Sequence, residues 1–161
     1  MYVSRRGLLC ACLLTTFAGG PLHFLYDWFP NPVTALFSPV NESLWEHGKL
    51  IFWPILAAAF VLSRFHPRAV KPWLVSLPVL LALMLGAGYL YHVTWGGEAM
   101  WVDLLLYAVL MALGFWLPTR FLPPFRGGLW SLPVLWTIAL GAAFVLFTRW
   151  PPYNILFQVL D

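Results

Sequence analysis

The 161 residues are 61% hydrophobic and only 9% charged, too few charges to cover a water-soluble domain, which runs nearer a quarter charged. The net charge of +3 does not indicate a nucleic-acid partner, because the nine basic residues are scattered through short loops and are not gathered on one face. What remains is an all-α integral membrane bundle, a single transmembrane domain over residues 1–161 with membrane lipid around it.

Helices are the expected elements, since an open sheet edge is not tolerated in lipid and the alternating pattern of a membrane barrel is missing. Five apolar segments follow one another, each near the ~20 residues that cross ~30 Å of hydrocarbon. The first, about 6–27, begins at Arg5-Arg6. It reads like an export signal with a cleavage site at Ala18-Gly19-Gly20. The apolar run nevertheless continues through Leu22, Phe24, Leu25 and Tyr26, long enough for an uncleaved span. Cys10 and Cys12 face different directions on a helix and read as small apolar fillers. His23 and Asp27, four apart, share one face at the end of this span.

The second span is expected at about 46–63. Pro39 suits the first turn of a helix with Ser38 as its cap, and Ser43 with Glu46 fits a capping box. Only 14 uncharged residues separate Lys49 from Arg64, so this helix has to start early and draw Glu46 and His47 toward the membrane. The third span, 72–95, carries His92 one turn before its end, and the fourth, 99–117, holds Asp103 about a turn inside. The fifth is 128–148. Pro54, Pro78 and Pro133 fall inside spans and predict kinks. Gly86, Gly88 and Gly141 predict close helix contacts.

Alternating the five spans puts Arg5, Arg6, Arg64, Arg68, Lys71, Arg120 and Arg126 on one side and only Lys49 and Arg149 on the other. That asymmetry predicts an amino terminus in the cytoplasm and a carboxyl terminus outside, in a multi-pass protein of the cell membrane. Trp28, Trp45, Trp73, Trp95, Trp101, Trp130 and Trp150 lie near span ends, as an aromatic belt requires.

All six acidic residues then fall outside, together with three of the four histidines. Burying such charges costs roughly 2.5–3.5 kcal/mol each, so they are expected to share an outward-opening pocket. Its lining would be His23, Asp27, Asn41, Glu42, Glu46, His47, His92 and Asp103. In the sharpest reading, His23, Asp27, His47 and His92 are ligands to a divalent metal such as zinc. Glu46, Glu42 or Asp103 would then be the catalytic acid–base groups, on a lipid or small polar substrate, with Asn41 beside them. Blander readings stand next to it: Glu46 pairing with Lys49 along the helix, His23 bonding Asp27, Asn41 capping a helix. The protein would then be a non-enzymatic subunit or assembly partner of a membrane complex, or a homo-oligomer. A small transporter is a third reading, although the inner halves of the spans carry no polar path. No H-E-x-x-H, phosphate loop or nucleophile elbow is present.

The run Pro39-Val40-Asn41-Glu42-Ser43-Leu44-Trp45-Glu46-His47, followed by Lys49-Leu50 and Phe52-Trp53-Pro54, resembles the P-V-N-E-S-x-W-E-H signature of a family of small multi-spanning prokaryotic membrane proteins of unknown function. His23 to Trp28 is similar to it as well, as is the tail from Phe147-Thr148 through Pro151-Pro152 to Leu156-Phe157 and Asp161. The resemblance implies a bacterial or archaeal membrane protein and carries no activity with it.

Overall fold

The computed structural model describes residues 4–159, and every regular element among them is helical. Asp161 lies outside the described residues. Helix α1 (Arg5–Trp28) starts where the Ser4 hydroxyl accepts from the Gly7 amide. Two short helices, α2 (Thr34–Phe37) and α3 (Leu44–His47), lead into α4 (Lys49–Ser63). Then come α5 (Lys71–Gly88), extended by a π-helical turn over Tyr89–Thr94, α6 (Met100–Trp116) and α7 (Leu132–Arg149).

Four helical stretches are long and apolar enough to cross a membrane: Arg5–Trp28, Pro67–Thr94, Met100–Arg120 and Gly128–Arg149. The expected second span differs. It breaks at Gly48, leaving α3 and a 15-residue α4. The break is sterically specific, because a Cβ at Gly48 would lie 2.9 Å from the Trp45 carbonyl oxygen and 2.6 Å from a Leu81 methyl. Gly48 still bonds into both pieces, donating to Trp45 O and accepting from Phe52 N. The two pieces therefore place residues 44–63 in close succession.

The ends of the long helices alternate. At one end His23 of α1 meets His47, His92 at the end of α5 meets Asp103 of α6, and Thr148 of α7 meets Glu46. The connections at the other end carry Arg64, Arg68, Lys71, Arg120 and Arg126. Helix α5 packs against α4, α6 and α7, while α1 lies on α4 and α6. The centre is filled by Ile55, Leu77, Leu80, Met111 and Phe144.

In lipid the surroundings are as apolar as leucine, so helices associate through close packing and hydrogen bonds. Close packing uses Gly88 against Leu44 and, unforeseen, Gly114 against Ile55 and Leu80 and Gly19 against the Tyr107 ring. Gly86 has open space beside it, and Gly141 makes only ordinary contact with Phe52. Pro133 sits in the first turn of α7 instead of its interior, and the interior proline of α1 is Pro21. Trp45 and Trp73 are buried, contrary to their expected belt positions. The reason for Trp45 is the tail: Phe157 folds back beside it, Phe144 and Phe147 flank it, and Val159 bridges to Ser43.

Candidate metal centre

Residues 38–48 cap one end of the bundle. Ser38 and Pro39 do not open a helix; they lie in an extended link after α2. The Ser38 hydroxyl instead stitches the link to α1, accepting from Tyr26 N and donating to His23 O. Asn41 Oδ1 accepts from Ser43 N, and Ser43 Oγ accepts from Glu46 N at the start of α3. Only half of the capping box forms, because Asn41 already holds the Ser43 amide.

Three donors converge on this cap. His47 Nε2 lies 3.2 Å from His23 Nε2 and 3.2 Å from Glu42 Oε2, and His23 Nε2 lies 3.8 Å from the same oxygen. His47 Nδ1 is 2.9 Å from Ser43 O. A carbonyl oxygen only accepts, so the hydrogen of neutral His47 resides on Nδ1 and Nε2 presents its lone pair to the other two groups. With His47 neutral, three electron-rich atoms face one another and a cation among them would satisfy all three; without an ion, a proton on His47 Nε2 donates to Glu42 instead. The tautomer-fixing bond from the far nitrogen to a carbonyl is the usual support of a metal-bound histidine. The triangle also has the right size: ligands ~2.0–2.1 Å from a tetrahedral ion stand roughly 3.3 Å apart. Glu42 is the open edge, with 62% of its side chain exposed. Its hydrogen bond from His47 holds its carboxyl below the usual glutamate range.

Glu46 is placed elsewhere. It is buried, as is Lys49, whose side chain has no exposure at all. Lys49 Nζ donates to Glu46 Oε2 at 2.6 Å, to Ala35 O at 2.7 Å and to Ser38 O at 3.2 Å. Glu46 also accepts from Val40 N on Oε2 and from Thr148 Oγ1 on Oε1. Every hydrogen of the ammonium is used, and both carboxylate oxygens are occupied. This pair joins α2, the link, α4 and α7 beneath the three donors, which is the role of a brace.

Among the other expected groups, Asp27 is exposed and stands apart from the three converging donors. His92 bonds Gly97 O through Nδ1 and Asp103 Oδ1 through Nε2, each at 2.8 Å, so neither nitrogen is free to ligate. The Asp103 carboxylate is still near enough to act electrostatically on His47. The Glu46–Lys49 pair forms as one of the expected alternatives, but sequence reasoning missed the burial of Lys49 and the parts that Ser38 and Thr148 play. Their signal was present, since each lies inside or beside a quoted motif, but a buried lysine is identified only by what surrounds it.

The chain belongs to a family of unknown function (DUF6512), whose family model matches residues 4–160. No curated protein and no solved structure was found to match it.

Proposed function

For this member of a family of unknown function we propose a five-pass membrane protein that binds a divalent metal ion, zinc being the best fit, at an outward-facing centre of His23, Glu42 and His47. The observation that carries the reading is the convergence of His23 Nε2, His47 Nε2 and Glu42 Oε2 within 3.8 Å, with His47 Nδ1 tied to Ser43 O. Two imidazoles and a carboxylate are a borderline donor set that suits zinc. Lys49 and Glu46 brace the cap, and the apolar core beneath closes the centre from the inner side. The alternating helix ends and the basic residues at the far end support five passes with the amino terminus inside. Of these, α4 is the short one, continued outward by α3.

Metal analysis of the purified protein tests the centre. One ion per chain is expected in the parent, with occupancy lost in Glu42→Gln and His47→Ala and kept in Asp27→Asn. Substoichiometric metal in the parent after reconstitution with zinc would end this reading. Topology is read by cysteine labelling on a background lacking Cys10 and Cys12. Val33→Cys should react with an impermeant reagent on intact cells, and Gly127→Cys only after permeabilisation; the reverse pattern inverts the orientation.

A further inference from the structure

At the same end of the bundle as the three donors stands a second group that metal binding does not use, its Asp103 near enough to act electrostatically on His47. His92 is carried on the π-helical turn Tyr89–Thr94; such turns recur at functional sites. The following loop is tied down around it: Gly97 N bonds Tyr91 O, Ala99 N bonds the Tyr91 hydroxyl, and Gly96 takes a positive φ of 63°. This fixes Gly97 O against His92 Nδ1 at 2.8 Å. That carbonyl can only accept, so Nδ1 carries a hydrogen. Nε2 faces Asp103 Oδ1, also at 2.8 Å. Two lone pairs would repel at that distance, so a proton lies between them, on the imidazole or on the acid. The dyad is therefore proton-loaded, and Asp103 keeps 43% of its side chain exposed, able to pass that proton outward.

The ion site has the complementary property. Three protein donors would leave an ion there with room for a water, and Glu42 is exposed at the edge of the group. Closed four-ligand sites are structural, whereas His, His, Glu and a water is the donor set of zinc centres that cleave acyl bonds. The site sits at the end of the bundle where exposed Trp28, Trp95, Trp101 and Trp150 lie, the headgroup level of a bilayer.

We propose that the centre hydrolyses an acyl ester at the membrane surface, with the His92–Asp103 dyad as the proton donor to the leaving alcohol. This inference rests on the metal reading and adds a reaction class to it. A divalent ion held by His23, Glu42 and His47 would supply hydroxide near neutral pH by lowering the pKa of a water, whose proton goes to solvent. Hydroxide oxygen forms the bond to the acyl carbon, and the acyl C–O bond breaks. The departing alkoxide takes the proton held between His92 Nε2 and Asp103 Oδ1. The products are a carboxylic acid and an alcohol, and water restores both the hydroxide and the dyad's proton.

The test uses the zinc-loaded full-length protein in detergent with two decanoyl esters, p-nitrophenyl decanoate and monodecanoylglycerol, and with p-nitrophenyl acetate as the short-chain arm. A p-nitrophenolate leaves without help, whereas a glycerol alkoxide needs a proton. Asp103→Asn and His92→Gln should bind zinc like the parent. Both should cleave monodecanoylglycerol about 10²–10⁴-fold more slowly, with p-nitrophenyl decanoate changed less than about threefold. A parent rate on the decanoyl esters well above that on the acetate assigns a lipid source for the ester; equal rates assign a soluble one. Loss of both decanoate rates together, or unchanged rates, or loss of zinc from the dyad variants would each overturn the proton-donor role. A zinc-loaded parent that cleaves none of the esters overturns the reaction class. Failure of the parent to bind zinc removes the underlying metal reading and is seen before any rate is measured.

Discussion

Replacing Lys49 with methionine is the most direct probe of how the cap over residues 38–48 is held. The side chain is fully buried, and its ammonium serves Glu46 Oε2, Ala35 O and Ser38 O. Methionine fills a similar volume but leaves the Glu46 carboxylate, itself only 3% exposed, with Val40 N and Thr148 Oγ1 as its remaining donors. Removing one partner of a buried pair costs about 3–5 kcal/mol, most of it from the charge left behind. Glu46→Gln in the same chain removes that charge, so Lys49→Met/Glu46→Gln should be more stable than Lys49→Met by at least ~1 kcal/mol. The assay is unfolding in mixed micelles of increasing sodium dodecyl sulfate, followed by tryptophan fluorescence. Because the link that Lys49 anchors also carries Glu42, zinc affinity should fall in Lys49→Met even where the protein is folded. A single variant within ~1 kcal/mol of the parent, or a double variant no better than the single one, would refute the brace.

Other outcomes follow from the same contacts. In the metal-free protein, the His47 bond holds the Glu42 carboxyl below its unfolded value. The contact then contributes stability above the ordinary glutamate pKa of about 4.3 and loses it as pH falls through the lower folded value. Glu42→Gln should flatten that acid limb of the unfolding profile, and an unaltered limb would show that the contact contributes nothing. On α1, a Cβ at Gly19 would collide with the Tyr107 ring, whereas one at Gly20 meets nothing within 4 Å. Gly19→Ala should therefore lower the thermal midpoint and weaken zinc binding through displaced His23, with Gly20→Ala close to the parent; equal effects from both would argue against this docking. Tyr107→Phe removes the 3.1 Å bond to Thr16 O and should cost about 1 kcal/mol in the same unfolding assay.

Composition and hydropathy alone determined that the chain is helical with several stretches long and apolar enough to cross a membrane, because few charges and ~20-residue apolar runs favour that solvent and that backbone geometry. The first, third and fourth segments, 6–27, 72–95 and 99–117, correspond closely to α1, α5 with its π turn, and α6. The gathering of polar groups at one end was also legible, since helices that alternate in direction place His23, Glu42, His47, His92 and Asp103 at the same end whatever their rotations. Which of them touch was not legible. That depended on the break at Gly48, which turns α3, and on the Ser38 stitch, which pins the link against α1. Those features come from contacts between residues 12 to 24 positions apart and from the fit of Gly48 against Leu81. They separated Glu42, open at the rim, from Glu46, locked to Lys49, two glutamates that four residues of sequence make look equivalent. Hydrogen-bond partners and burial, both properties of the packed chain, leave one carboxylate open beside two histidines and make the other a brace.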